Sequence, residues 1–244
     1  MTTAWTERDF LDRIRSLGIT EEQWPEEFRR YTAAIGQREY QIEATGWDVA
    51  DGRACARSAR ITGPAMDIST FMLYPTQSPD RLPVFAAEWV VFGPRIHMLV
   101  LDAEVCGDQP ALFADCQAAF RAAHARWSTE FPVNREKPDW FKDIETPWAL
   151  YGEADGSRMG LLREAFRDYL DITVNSFYSA ELEGAKAGAD HPEVESYKHH
   201  HYVNSPGHRI LGVKFGERHT DQLLKDWHFG PSRPRSSIAM SSAS

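Results

Sequence analysis

The middle of the chain carries apolar residues in alternation with polar ones or in short unbroken runs, a pattern typical of β-strands. Two such runs, LPVFAAEWVVFG and IHMLVLDAEV, flank the short connection Pro94–Arg95 and predict an antiparallel hairpin. Within the first run Glu88 and Trp89 are neighbours, so we expect their side chains on opposite faces of the sheet. The other predicted strands are Glu39–Val49, Arg53–Ile61, Asp67–Tyr74 and Trp148–Tyr151.

On either side of this region apolar residues recur at spacings of three and four, which predicts helices. Thr20–Gln23 resembles a capping box and favours a helix behind it. Helices, then consecutive strands, then helices indicate an α+β protein with one antiparallel sheet and helices on both faces. We expect a single domain over 1–230 and a disordered tail over 231–244, rich in serine, arginine and proline. The predicted helices are Thr6–Leu17, Thr20–Ile35, Ala111–Trp127, Ser157–Glu183, Glu193–Asn204, Gly207–Phe215 and Arg218–Phe229.

Composition and net charge limit the classes of molecule that the protein is expected to bind. The 244 residues are 42% hydrophobic and include eight tryptophans, enough for a sizeable core or for contact with a flat apolar ligand. The net charge of -9 argues against nucleic acid as a partner. Three cysteines stand in no metal-ligand spacing, and their odd number argues against a disulfide framework. With neither a signal-peptide pattern nor a run of transmembrane length, we expect no membrane partner and a cytoplasmic location.

Three adjacent histidines, His199–His201, precede the predicted helix end at Asn204. Residues three and four apart share one face of a helix, so Tyr197, His201 and Asn204 form one stripe. This stripe offers a phenol, an imidazole that can bind a metal, and an amide. The helix should break at Ser205–Gly207, because proline cannot continue it and glycine favours a turn. Polar groups beside such a break are candidate site residues.

Four segments follow one another along the chain: FMLYP with DRLPVFAAEWVVFG, MLVLDAEV, KPDWFKDIETPWALYG, and the stretch from Tyr197 to Leu211 followed by FGERHTDQLLKDWHF. In this order they resemble the ferredoxin-dependent bilin reductase superfamily. The likeness runs from about Arg53 to Phe229, and it implies a three-layer α/β/α sandwich with a tetrapyrrole between the sheet and the C-terminal helices. It also implies reduction of biliverdin by radical steps, in which ferredoxin supplies single electrons and side chains supply protons.

The resemblance places the proton-donating carboxyl group of the family at Glu88, where the family uses aspartate. A proton must reach a defined carbon of the bilin, so an acid is needed within hydrogen-bond reach of it. A second family aspartate follows an asparagine, but here Asn204 is followed by Ser205, a far weaker acid. A histidine of the phycocyanobilin-forming branch falls on Thr70, and an arginine that binds a propionate falls near Gly152. These three departures count against bilin reduction.

The helix face that lacks the second family aspartate carries an imidazole instead, that of His201. Neutral imidazole is the commonest axial ligand of haem iron, and haem is similar to biliverdin in size and shape. We therefore expect a haem-dependent monooxygenase on a bilin-reductase scaffold, similar to relatives that hydroxylate a tryptophan carried on a peptide. His201 is the first candidate for the iron ligand and His208 the second, while Glu88 relays protons to bound oxygen or peroxide.

The same hypothesis gives roles to neighbouring residues. Tyr197 and Asn204 are expected to orient the cofactor or substrate, and Arg209 and Lys198 are candidates for the haem propionates. Ser205 is a candidate catalytic residue because it stands at the place of the second acid.

Two other functions stay open at this point. One is a bilin reductase with no bound haem, using biliverdin as substrate and ferredoxin or another electron donor as partner. The other is a non-catalytic tetrapyrrole-binding protein. In either oxidoreductase the substrate is a small molecule or a peptide. His97, His219 and His228 are interpreted as packing or surface residues.

Overall fold

The computed structural model describes residues 5–76, 82–104, 106, 116–179 and 190–232. Its strands are β1 (Ile19–Glu21), β2 (Arg30–Ile35), β3 (Arg38–Val49), β4 (Ala54–Gly63), β5 (Met66–Pro75), β6 (Val84–Phe92), β7 (Arg95–Glu104) and β8 (Leu150–Asp155). They form one sheet in the order β1-β3-β4-β5-β6-β7-β8, and β2 pairs with β3 beside β1. Every pairing is antiparallel. From β2 to β7 each strand pairs with the next one along the chain, so these strands form a meander.

The helices precede, interrupt and follow the sheet. They are α1 (Trp5–Ile14), α2 (Glu26–Arg29), α3 (Gln117–Trp127), α4 (Asp139–Lys142), α5 (Met159–Ser179), α6 (Pro192–Asn204), α7 (Gly207–Phe215) and α8 (Glu217–Asp221). A π-helix, Gln222–His228, continues directly from α8. Short 3-10 turns lie at Arg15–Leu17 and Gly156–Arg158.

Helices cover both faces of the sheet, which confirms the α+β fold with a three-layer α/β/α arrangement. On the first face, α1, α3 and α5 pack on a core that includes Phe10, Phe166 and the fully buried Trp89. Trp89 therefore lies on the face opposite to Glu88, as alternation along a strand predicts. On the second face, two smaller apolar clusters join the sheet to α4, α6, α7 and the π-helix.

The predicted helix Thr20–Ile35 is wrong. The segment holds β1, the four-residue helix α2 and β2. Thr20 pairs with Asp48 of β3, so it does not begin a helix. Both short strands satisfy their backbone groups on one edge of β3, and this long-range pairing overrides the local helical pattern. The hairpin of β6 and β7 and the helices α5, α6 and α7 are confirmed.

Some predicted features lie partly outside the described residues. They include the first part of the predicted helix Ala111–Trp127, the end of Ser157–Glu183, and 233–244 of the predicted tail. At the start of that tail, Ser232 is buried, and its hydroxyl accepts a hydrogen bond from Lys198 Nζ at 2.8 Å. Among the residues described, no helix is both long and apolar enough to span a bilayer.

Candidate functional site

A cavity of about 680 Å³, here called the main cavity, lies between the second face of the sheet and the C-terminal helices. Its volume falls within the range of about 300–1,000 Å³ typical of small-molecule sites. A smaller pocket of about 80 Å³, the side pocket, adjoins it and extends towards α6. Strands supply Ile61, Ile68, Thr70, Glu88, Val90 and Met98 to the main cavity, and the C-terminal segments supply Ser205, Leu211, Leu224, Trp227, His228 and Phe229.

Glu88 is the carboxylic acid in the sheet wall of both spaces. It pairs with Thr70 of β5 and Val100 of β7, so strands on both sides hold its backbone. Burial raises the pKa of Glu88 to about 7, with the Glu104 charge adding to the rise and His201 opposing it. A carboxyl group with this pKa keeps a large protonated fraction at neutral pH, so it can donate a proton to a bound molecule.

A β-bulge decides which residues share the face of Glu88. After Val90 the pairing of β6 with β7 shifts by one residue, which leaves His97 as an extra residue in β7. Beyond the bulge Glu88 pairs with Val100, and Glu104 follows four residues later on the same face. Because side chains alternate along a strand, the unshifted register would put Glu104 on the opposite face. The bulge therefore brings Glu104 to the same face of the sheet as Glu88.

Glu104 is the centre of a buried network that reaches α6. Its Oε2 accepts a hydrogen bond from the Tyr197 hydroxyl and another from His201 Nε2, at 2.8 Å. Burial and the Glu104 charge raise the pKa of Tyr197 well above its usual value, so the phenol stays protonated and remains a donor. Tyr197 and His201 thus point towards β7 on the shared stripe of α6, and His201 lines the side pocket together with Glu88.

Haem ligation through His201 does not fit this arrangement. Nε2 of His201 is committed to Glu104, and the rings of Trp140, Tyr197 and Phe229 lie 5.4, 4.7 and 5.4 Å from the imidazole centroid. The side pocket that His201 lines measures about 80 Å³, far below the range of about 300–1,000 Å³ for larger ligands. Within the described part of the chain, no group of three or more metal-binding side chains converges.

Of the two residues at the end of α6, only Ser205 lines the cavities. The Asn204 side chain instead donates a hydrogen bond to the backbone carbonyl of His200 at 2.9 Å, within its own helix. The Ser205 hydroxyl accepts a hydrogen bond from Gly207 N at 3.1 Å, which supports the turn into α7. The helix break therefore brings a hydroxyl to the cavity and leaves the predicted amide on the helix surface.

Besides Asn204, four candidates line neither space: Tyr197, whose hydroxyl bonds to Glu104, and His208, Arg209 and Lys198. His208 bonds to the backbone carbonyl of Tyr202 at 2.8 Å. Arg209 is exposed on α7. Lys198 is buried and forms an ion pair of 2.6 Å with Asp190. Lys198 also contacts the Ser232 hydroxyl at 2.8 Å and the ring of Tyr74 on β5 at 4.8 Å, so its ammonium group is held outside both spaces.

Arg135 is a cavity residue that sequence reasoning missed. It lines the main cavity, donates to the carbonyl of His97 at 2.8 Å, and places its guanidinium over the Tyr151 ring. At Gly152, where the resemblance placed an arginine, a Cβ atom would lie 2.7 Å from Asn134 Oδ1 and 2.9 Å from the carbonyl oxygen of Pro132. An arginine therefore cannot occupy that position without displacing the loop that carries Arg135.

Glu104 and His228 are the other two missed residues. Strand alternation alone could not assign Glu104 to a face, because the bulge shifts the register. His228 lines both spaces, yet its place on a predicted helix suggested a packing or surface residue, because the π-helix is not visible in the sequence pattern.

Comparison with known proteins identifies the fold and the family. No curated protein sequence matches the chain. The crystal structure of phytochromobilin synthase from tomato, in complex with biliverdin, is similar at a TM-score of 0.75 and 14% identity, covering 93% of this chain and 82% of that one. At this identity the likeness concerns the fold. The sequence model of the ferredoxin-dependent bilin reductases matches residues 8–230, and the protein therefore belongs to this family of oxidoreductases.

Proposed function

We propose that this protein binds a linear tetrapyrrole of the bilin class in the main cavity and reduces one of its double bonds, with Glu88 as the proton donor. The observation that carries the proposal is an acid with a pKa of about 7 in the wall of a largely apolar cavity of about 680 Å³. Such an acid suits proton donation near neutral pH. Family membership and the biliverdin bound to the tomato enzyme support this class of ligand.

Reduction of one carbon–carbon double bond consumes two electrons and two protons. In the proposal, reduced ferredoxin supplies two electrons one at a time to the π-system of the bilin. Glu88 forms the first new C–H bond by giving up its proton, and the resulting carboxylate must regain a proton before a second transfer. His201 lines the same side pocket and hydrogen-bonds to Glu104, so this pair takes up a proton from solvent and passes it to Glu88. The pair would thus supply the proton that Ser205, a far weaker acid than aspartate, cannot supply.

Arg135 is proposed to bind a propionate group of the bilin. It lines the main cavity and is exposed there. A guanidinium recognises a carboxylate through two parallel hydrogen bonds. Arg209, which the sequence suggested for propionates, is an exposed arginine on α7 away from the cavity and provides a matched control.

The haem-dependent monooxygenase predicted from the sequence depends on His201 as an iron ligand. The bond from its Nε2 to Glu104 and the small size of the side pocket favour the reductive function instead. Hydroxylation of a peptide-borne tryptophan stays a prediction.

The test is an anaerobic titration of the purified protein with biliverdin, followed by reduced ferredoxin. We expect a blue-green complex whose visible band bleaches or shifts on reduction. Glu88→Gln should still bind biliverdin but should react roughly 100-fold more slowly or worse, since it cannot donate a proton. Arg135→Gln should weaken binding, whereas Arg209→Gln should not.

A different spectrum would overturn the proposal. Protein supplied with haem could show a Soret band that changes in His201→Ala, while biliverdin neither binds nor reacts. That result would support the haem-dependent monooxygenase over the bilin reductase. Tight binding of biliverdin without turnover by reduced ferredoxin would leave a tetrapyrrole-binding protein without this activity.

A further inference from the structure

His228 is a buried histidine in the wall of both the main cavity and the side pocket. Its Nε2 lies 3.4 Å from the Thr70 hydroxyl, next to Glu88 in the strand pairing. Its Nδ1 has no hydrogen-bond partner among the described residues, although the atom is fully buried. An unsatisfied buried nitrogen is unfavourable, so a rotation of the ring that turns this nitrogen towards a ligand in the cavity recovers that free energy.

The backbone around His228 is held in an unusual conformation. Phe229 N bonds to the carbonyl of Leu224, five residues earlier, at 2.8 Å, as a π-helix requires. The Tyr74 hydroxyl also donates to the carbonyl of His228 at 3.0 Å, which ties this residue to the sheet. Single π-turns inside helices occur frequently at functional sites. Here the π-turn ends on the residue that lines the cavity.

The imidazole of His228 is neutral. Burial lowers its pKa to about 3, and the nearby charges of Arg57, His201 and Lys198 act in the same direction. A neutral imidazole has one N–H donor and one nitrogen acceptor, so it matches an uncharged polar group rather than a carboxylate. A linear tetrapyrrole presents such groups as pyrrole N–H donors and terminal lactam carbonyls.

We infer that His228 is a ligand-binding residue of the main cavity, and that its imidazole rotates on binding so that a ring nitrogen forms a hydrogen bond with the pyrrole or lactam edge of the bound tetrapyrrole. This inference rests on the proposed function, because it assigns a contact to the same ligand. It also separates two duties in the cavity: Arg135 binds the charged substituent and His228 recognises the neutral polar edge.

The experiment compares biliverdin binding by the wild type, His228→Leu and His219→Leu. His219 is the matched control, because it lies on the preceding helix α8 and also has a buried ring nitrogen without a partner among the described residues, but does not line either cavity. Absorbance titration should give His228→Leu a Kd roughly 5- to 100-fold higher than the wild type, with a shifted visible band. His219→Leu should bind as the wild type does.

Stability in urea separates a ligand contact from a structural role. Leucine removes the unsatisfied nitrogen, so ligand-free His228→Leu should be at least as stable as the wild type. Three results would overturn the inference: unchanged binding by His228→Leu, equal weakening in His219→Leu, or a destabilised or unfolded His228→Leu protein. Failure of the wild type itself to bind biliverdin would instead remove the proposed function and this inference with it.

Discussion

Replacing Glu88 by glutamine tests whether its carboxyl group is held uncharged for function. Burial raises the pKa of Glu88 from a usual 4.5 to about 7. One pKa unit corresponds to about 1.4 kcal/mol, so the shift corresponds to roughly 3 kcal/mol of lost folding free energy when the group is charged. The carboxyl group faces the cavity and is partly exposed, which makes this figure an upper bound.

Because the pKa of Glu88 is raised on folding, ionisation of this group lowers the stability of the folded protein. The folded protein binds the Glu88 proton more tightly than the unfolded chain does, so this residue favours folding below pH 4.5, and that contribution is lost as the pH rises through about 7. Glutamine has nearly the same shape and no charge. The Glu88→Gln variant should therefore differ least from the wild type near pH 5 and exceed its free energy of unfolding at pH 8.5 by up to about 3 kcal/mol.

Urea unfolding followed by tryptophan fluorescence at pH 5, 6, 7 and 8.5 measures this difference. Other titrating groups, including Asp102, whose pKa burial raises to about 8, affect both proteins and cancel in the comparison. A difference between the variants that does not change with pH, or a less stable glutamine variant at pH 8.5, would refute the reasoning. The same variant should lose turnover while Glu88→Asp, which keeps an acid, retains part of it.

The remaining predictions concern the Glu104 network, the buried ion pair of Arg57 with Glu22, and Ser205 in the cavity wall. Glu104→Ala leaves the His201 imidazole without its partner and should lower the free energy of unfolding by about 2–4 kcal/mol in urea, whereas Glu104→Gln should mainly slow the reduction of biliverdin. Arg57→Met leaves buried Glu22, 3.3 Å away, without its cation and should cost about 3–5 kcal/mol, measured in the same assay. Ser205→Asp adds an acid to the cavity wall and should raise the rate of biliverdin reduction by about tenfold or more in the ferredoxin assay, and an unchanged rate would count against a role for this position in proton supply.

Local pattern determined a large part of the fold. The hairpin β6–β7 followed from two apolar runs and a short turn, and the opposite orientation of Glu88 and Trp89 followed from alternation along one strand. The end of α6 at Ser205 followed from the proline and glycine behind it. Each of these features depends on residues within about one turn or one strand, so periodicity and turn chemistry suffice to predict them.

Only the tertiary structure decided which groups meet in the cavity. The bulge at His97 turned Glu104 towards α6, where it accepts a hydrogen bond from His201, the residue that the sequence suggested as an iron ligand. Pairing with β3 converted Thr20–Ile35 from a predicted helix into two edge strands. The π-turn brought His228, more than a hundred residues beyond Thr70, against the sheet. Such contacts depend on register and packing between distant segments, and residue spacing within one segment carries no information about them.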